Sequence, residues 1–451
     1  MATKTALYQS IGDQLTHWEV DVEAATLTKR GSVTLPSNVQ YAWPVTTAGG
    51  KKFLTVSTSD AASGNTPVPG VMHRLCSVSI AADGALALHG EPQPLPSRPI
   101  HHCVDRAGAY ALCAFNNPSN ITVNRINSDG SIGQRVAQSA NVDVGIYAHQ
   151  VVTTPSNRLV VFPARGNDAK GGKAEDPGAI KVYRFNNGQL TQSQSIDAVG
   201  KGGMDYRPRH VDFHPAQPWM YANVESQNDI HMHRINGDEI TPTPEFVKTT
   251  LAAPRDPKMH QTTSAIHVHP NGRFVYTANR ADGKVEFNGK QVFAGGENSI
   301  AVFAIDQNTG EPTRIQSVDP QTHHVRTFGI DPSGRLLVSA SIRDMWVKDG
   351  SGVRLAPEFA ANAKQSISNF SAYAKKGVDP EFGRGKYLYD REWHLLFSAR
   401  RAGTTQPENP YPNNTMHPFA AKGPYYALVL DRKSTRLNSS HTDISRMPSS
   451  A

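Results

Sequence analysis

Apolar and polar positions alternate along most of the chain in short runs rich in β-branched and aromatic residues, and Gly, Pro, Asn or Asp breaks each run. One unit recurs: CVDRAGAYALCAFN around Gly108, VVTTPSNRLVVFPAR around Asn157, VDFHPAQPWMYANVE around Gln217, IHVHPNGRFVYTANR around Gly272 and GIDPSGRLLVSASI around Gly334. Each predicts a strand, a tight turn and a second strand. VTTAGGKKFLTVST around Gly50 is a weaker first copy. The turns lie about 50 to 60 residues apart, the scale of a four-stranded propeller blade. After most hairpins come two further strand candidates, as in SIAVFAID then GEPTRIQSVD, or AIKVYRF then GQLTQSQSID. Before the first hairpin, ALYQSI, LTHWEVD and LTKRGSVTL supply three strands without an inner one. Six blades begin in this way. A seventh shared between the two chain ends would close the ring and remove free sheet edges, so the expected fold is all-β, a seven-bladed β-propeller.

After Ile342 the rhythm fails. Two outer strands and an innermost closing strand are expected there and no such pattern follows, so the propeller is expected to be incomplete at the closing blade. Instead, FAANAKQSISNFSAYAKKGVDPEFGRGKYLYDREW carries apolar residues at helical spacing, ahead of PENPYPNNTMHPFAAKGPYYALVL.

Composition narrows the function classes. The 451 residues include three cysteines, Cys76, Cys103 and Cys113, an odd number without CxxC spacing. That argues against a disulfide framework or a zinc ribbon and fits a reducing compartment. The N-terminus has no apolar core of signal-peptide length, and no stretch reaches the roughly 18 apolar residues of a membrane span. A cytoplasmic protein with no membrane partner is expected. The formal charge is +7, from 46 basic and 39 acidic residues that are interspersed without a Lys/Arg run, so no nucleic-acid partner is expected. The final segment, Asp431 to Ala451, holds four basic and two acidic residues, and without it the charge falls to +5.

The repeat phase also collects chemistry at one place. In a blade the first strand lines the central channel and the second is its antiparallel neighbour, so equal offsets before and after the turn bring residues to one rim. About eight residues before the turns stand His149, Arg209, Ser264 and Arg326, with His101 and His102 one or two positions off; about eight after them stand Asn116, Arg165, Glu225 and Arg280. Arginines there can hold carboxylate or phosphate oxygens and stabilise an oxyanion. His149 or Glu225 could serve as general base. The alternative for Arg209 and Glu225 is a structural ion pair. His210, His214, His267 and His269 follow strand alternation. Without a third ligand at a suggestive spacing they, like His231 and His233, read as turn-stabilising or buried hydrogen-bonded residues, and no metal site is assigned. Cys103 and Cys113 read as packing residues.

With the hairpins aligned, YRPRHVDFHPAQPWMYANVE, SAIHVHPNGRFVYTANR and VRTFGIDPSGRLLVSAS resemble the lactonase family of seven-bladed propellers, which includes 6-phosphogluconolactonases and carboxy-cis,cis-muconate lactonizing enzymes. The resemblance covers residues 1–355. It implies an active-site histidine at His149, the PRH arginine at Arg209, a strand-end glutamate at Glu225 and the NR arginine at Arg280. Arg326 matches the arginine that opens the last hairpin, with Val325 in place of the family's proline. His102, His210 and Arg165 are expected to contact substrate. The implied activity is cofactor-independent opening or closing of a lactone on a small anionic sugar acid or muconate. Hydrolysis is the working mechanism; cycloisomerisation on the same ring of groups and a non-catalytic binding platform are the alternatives.

Residues 358–430, within a separate segment 356–430, resemble the C-terminal part of FAD-dependent dehydrogenases of the 3-ketosteroid dehydrogenase and fumarate reductase type. No flavin function is implied, because no GxGxxG follows a strand anywhere in the chain. Such a fragment, cut from its own domain, is expected to pack poorly. DRKSTRLNSSHTDISRMPSSA, residues 431–451, matches the translation of a sequencing-library adapter and is expected to be a disordered tail. The chain thus reads as joined pieces.

Overall fold

The computed structural model describes residues 5–47, 49–61, 70–198, 200–256, 259–287, 289–341, 345–347, 359–381, 383, 384, 386, 410–413 and 415–419. It divides into two compact units, Met1–Met345 and Trp346–Ala451.

The first unit is a succession of antiparallel sheets. A three-stranded sheet comes first: β1 (Thr5–Ile11), β2 (Gln14–Asp21) and β3 (Thr26–Thr34). A four-stranded blade follows, made of β4 (Val39–Thr46), β5 (Lys52–Ser59), β6 (His73–Ile80) and β7 (Leu86–Pro94). The next has β8 (Pro99–Val104), β9 (Tyr110–Asn116), β10 (Ser119–Ile126) and β11 (Ile132–Arg135); after it come β12 (Val152–Thr153), β13 (Leu159–Ala164), β14 (Ala179–Asn186) and β15 (Gln189–Ile196). In the following blade β16 (Pro208–Phe213), β17 (Trp219–Val224) and β18 (Asp229–Asn236) are followed by two short strands that both pair with β18, β19 (Glu239–Ile240) and β20 (Phe246–Thr249). The sixth sheet has β21 (Gln261–Val268) and β22 (Phe274–Ala281), then, beyond a separate hairpin of β23 (Lys284–Phe287) and β24 (Lys290–Phe293), β25 (Ser299–Ile305) and β26 (Pro312–Val318). β27 (Val325–Ile330) and β28 (Leu337–Ser341) pair as a two-stranded sheet. These seven sheets in sequence are the expected propeller. Among the described residues the last sheet stops at two strands and nothing pairs with the inner edge of β1. Arg335, in the turn after β27, forms an ion pair with Glu23 of the first sheet, with Nη2 2.6 Å from Oε2.

Burial explains why the middle strands read as nearly continuous apolar runs. Blades pack face to face, so β9, β13 and β17 are covered on both sides, whereas β3 at the rim is exposed along almost its whole length. Cys103 and Cys113 are fully buried free thiols in this packing, and Cys76 is a third.

The turns are fastened to the blade before them. His214 lies 2.9 Å from the carbonyl of Gly272, one blade on, and His269 lies 2.9 Å from that of Gly334. Each uses its other ring nitrogen to accept an N–H from its own turn. Both glycines have positive φ, and a Cβ on Gly272 or Gly334 would come within 2.4 Å or 2.3 Å of the imidazole Nε2. These histidines are turn latches, as their strand alternation implied.

Among the described residues, five of the six innermost strands, all but β12, carry an irregularity near the same place. Register slips between Val39 and Tyr41, Pro99 and His101, Pro208 and His210, Thr263 and Ile266, and Val325 and Thr327. An extra residue at such a bulge is unpaired and its side chain is re-aimed. Arg209 and Arg326 occupy two of these positions.

In the second unit the helical spacing is realised as α1 (Phe359–Lys376), which ends at Gly377 with φ +74°. The GVRLAP and KGPYYA segments and residues 431–451 lie outside the described residues. No helix among the described residues is long and apolar enough to cross a membrane.

Candidate active site

Glu225 follows β17 and is 6% exposed. It gathers three arginines from three blades. Arg165, after β13, and Arg280, near the end of β22, form ion pairs with its carboxylate, and Arg209 Nε lies 3.4 Å from Oε1. Burial works to raise the Glu225 pKa; Arg280, Arg165 and Arg209 outweigh it and hold the group at about 2. A carboxylate so firmly held is a poor proton acceptor. Arg209 and Glu225 stand in the geometry of the ion-pair alternative, and these pairings favour Glu225 as an anchor for the arginines over a proton acceptor.

Further bonds fix each guanidinium. Arg280 Nε donates to Thr262 Oγ1 at 3.1 Å and to the Thr263 carbonyl at 3.2 Å. Arg209 donates to the carbonyl of Ser264. Arg165 Nη2 lies 2.6 Å from Asp168, which also meets Arg207 at 3.0 Å, while Glu175 holds Arg207 at 2.6 Å. Asp168 and Glu175 belong to the long loop between β13 and β14. Arg326 is half-buried, and its field reaches His149, Arg209 and Arg280. Burial lowers the Arg280 pKa to about 10 despite Glu225, and Arg326 contributes in the same direction. Three guanidinium groups thus share one buried carboxylate, with Asp168 at the rim beside Arg165.

His149 precedes β12 and is 7% exposed. Its Nδ1 is buried without a hydrogen-bond partner. Burial, then the fields of Arg209, Arg326, Arg280 and Arg165, hold its pKa well below the ordinary imidazole value, so the ring is neutral. His210 stands edge-on to it at 5.1 Å between ring centres and His101 lies 5.7 Å beyond His210, with Tyr41 4.0 Å from His101. Burial and Arg209 likewise keep His210 neutral.

Seven of the eight expected site residues therefore meet at one mouth: His149, Arg165, Arg209, His210, Glu225, Arg280 and Arg326. His102 does not. It is fully buried, with Nε2 2.9 Å from Thr55 Oγ1 and Nδ1 3.0 Å from Ser57 Oγ on the neighbouring blade. The bulge between Pro99 and His101 turns His101 toward the channel and His102 away from it. A substrate contact for His102 is replaced by a packing role. One element escaped the offsets entirely: His324, in a left-handed turn before β27 with Nε2 3.4 Å from Nη1 of Arg280, and Asp282, just past the NR arginine.

A family model described as "Lactonase, 7-bladed beta-propeller" matches residues 2–347. The chain belongs to the lactonase family of seven-bladed β-propellers. Among curated relatives, this lactonase-family chain is 27% identical to a 6-phosphogluconolactonase of Yersinia pestis (strain Pestoides F) over 349 residues, covering 69% of this chain and 94% of the relative. It is 29% identical to a 6-phosphogluconolactonase of Bacillus subtilis (strain 168) over 253 residues, or 54% of this chain and 63% of that one, so the match spans under two thirds of that relative. Among solved structures, the periplasmic gluconolactonase PpgL of Pseudomonas aeruginosa superposes with a TM-score of 0.54 at 17% identity, covering 75% of this chain and 88% of that one. At that identity the likeness concerns the fold.

Proposed function

We propose that this lactonase-family protein hydrolyses the lactone of a small anionic sugar acid at the channel mouth. The observation that carries the reading is the cluster of guanidinium groups: Arg165, Arg209 and Arg280 hold one buried carboxylate, and their fields and that of Arg326 reach the buried imidazole of His149. The names of the 6-phosphogluconolactonase relatives support it.

Ring opening of a lactone needs water, a proton acceptor and stabilisation of the oxyanion that forms at the carbonyl. Arg280 and Arg209 are restrained by the Thr263 and Ser264 carbonyls, so their donors are preorganised, and removing one such donor typically costs about 10²- to 10³-fold in rate. Arg326 and Arg165, nearer the solvent, suit the phosphate or carboxylate of the substrate. The neutral His149 can accept a proton from water or donate its N–H to the carbonyl oxygen. A bound anion also offsets the arginine field that keeps His149 uncharged.

Residues 1–355 are the part that speaks for this activity, and the buried thiols Cys76, Cys103 and Cys113 suit a cytoplasmic setting. Titration of released acid at constant pH with several sugar-acid lactones tests the activity. Proton release well above the spontaneous rate is expected. Tight binding of a sugar acid without proton release would instead make the propeller a binding platform, and turnover of a muconate without hydrolysis would make it a cycloisomerase.

A further inference from the structure

Arg165 stands apart from the other arginines on Glu225. It pairs through Nε with Oε2, whereas Arg209 and Arg280 both face Oε1. The donors assigned to the oxyanion thus hold one carboxylate oxygen, and the arginine assigned to the substrate's anion holds the other. Nη1 of Arg165 donates to the Gly166 carbonyl at 3.2 Å, and Nη2 meets Oδ2 of Asp168 at 2.6 Å. The Arg165 side chain is 15% exposed and that of Asp168 57%, so this contact lies at the solvent edge of the mouth. An ion pair in such a place is weak, and the oxygens of a bound phosphate or carboxylate can make the same charge-assisted bonds.

The loop does not depend on that contact. Oδ1 of Asp168 lies 3.0 Å from Nε of Arg207, which is 2% exposed. Arg207 also meets Glu175 Oε2 at 2.6 Å and donates to the carbonyls of Tyr206 and Asn167 at 3.1 Å each. Glu175 in turn accepts the backbone N–H of Asp205 at 3.1 Å, and Asn167 Nδ2 donates to Asp176 at 2.8 Å. When Oδ2 leaves Arg165, Oδ1 therefore stays on Arg207 and the loop remains tied down.

There is also room for the anion. An open cavity of about 490 Å³ has Asn116, Asn117, Ser119, Tyr147 and Asn167 in its wall. Asn167 precedes Asp168 in the chain, and the Tyr147 carbonyl accepts the backbone N–H of Arg165 at 2.9 Å. The wall offers amides and hydroxyls and no acidic side chain, so an anion entering from this side meets hydrogen-bond donors and no opposing charge.

We propose that Asp168 is a built-in competitor for the substrate's anion: its carboxylate occupies Arg165 until an anionic lactone displaces it onto Arg207 alone, so that it sets how strongly the mouth favours charged over neutral lactones. The inference rests on the lactonase reading above. Asp168 acts through Arg165 and is a specificity-determining residue, outside the bond-making step.

The test uses the full chain. Asp168→Asn keeps the size of the side chain, leaves the other bonds of Arg207 in place and removes the competing charge. The ratio of kcat/KM for 6-phosphogluconolactone to that for unphosphorylated gluconolactone is expected to rise about fivefold, the worth of one exposed ion pair, with the gain in KM for the phosphorylated lactone. Inorganic phosphate, titrated by calorimetry, should bind about fivefold more tightly. Glu175→Gln removes a negative charge from the same loop but not from Arg165, and should leave the ratio within twofold of the parent's. If Asp168 instead bound a sugar hydroxyl, Asp168→Asn would raise KM for both lactones; if it served only to brace the loop, the urea midpoint would fall and the ratio would stay. Either result, or an equal rise in ratio from Glu175→Gln, overturns the competition at Arg165 and leaves the lactonase reading standing. If the parent protein releases no acid, the lactonase reading itself fails, and the phosphate titration alone decides: an affinity unchanged or weakened in Asp168→Asn overturns the proposal.

Discussion

Replacing Glu225 with Gln keeps the size of the side chain and removes the charge that three buried arginines share. Its magnitude follows in two ways. Glu225 titrates at about 2 in the folded protein against a reference value of 4.5, and each unit is worth about 1.4 kcal/mol, so the ionised carboxylate contributes about 3 kcal/mol to folding. Removing one partner of a buried ion pair typically costs about 3–5 kcal/mol. Both place the loss for Glu225→Gln near 3 kcal/mol at pH 7. The folded-state pKa is depressed, so this stabilisation is fully present above pH 4.5 and is lost as pH falls toward 2. Urea unfolding of the parent and the variant should show a wide gap in midpoint at pH 7 that narrows between pH 4.5 and pH 2. Equal stability at pH 7, or a gap that ignores pH, would refute the description of Glu225 as an anchor. A carboxylate acting as general base would instead cost rate with little stability.

Other outcomes follow from the same geometry. Arg280→Met should lower kcat/KM for an anionic sugar lactone by about 10²-fold or more, since Arg280 is one of the restrained donors; Arg326→Ala, at the half-buried position, should act mainly on KM, and steady-state kinetics separates the two. His149 titrates well below the ordinary imidazole value because burial and arginines oppose its charge, so its pKa, followed by NMR, should rise when a sugar-acid product anion binds; an unmoved pKa would show that the anion sits elsewhere. His214→Ala and His269→Ala each remove an interblade latch and should cost about 1–2 kcal/mol in urea unfolding, with kcat unchanged.

Much of the propeller was legible because its turns repeat. The hairpins around Gly108, Gly272 and Gly334 keep their spacing and glycines, since each turn must approach the preceding blade closely. The β23–β24 hairpin was not legible, because KVEF and KQVF fit no place in the repeat. The site was legible as far as strand offsets reach, which covers His149, Arg209, Glu225 and Arg280. Counting fails at bulges. The slip between Pro99 and His101 exchanged the faces of two adjacent histidines, and nothing in the letters PIHHC marks it. His324 was missed because it lies in a turn whose left-handed backbone only the folded chain displays. The signal in hindsight is the HHVR entry to β27 and the Asp that follows NRA. The role of Glu225 was open because base and anchor share one residue type, and only the count of arginines around it separates them.

The central claim is that the arginine-rich mouth is a hydrolytic site for an anionic lactone. Its most direct measurement is the ratio of kcat/KM for 6-phosphogluconolactone to that for unphosphorylated gluconolactone, by acid release at constant pH. Charge-assisted contacts between guanidinium and phosphate predict a ratio of about 100 or more, or roughly 3 kcal/mol. Equal values for the two lactones, or acid release no faster than in buffer alone, would contradict the account.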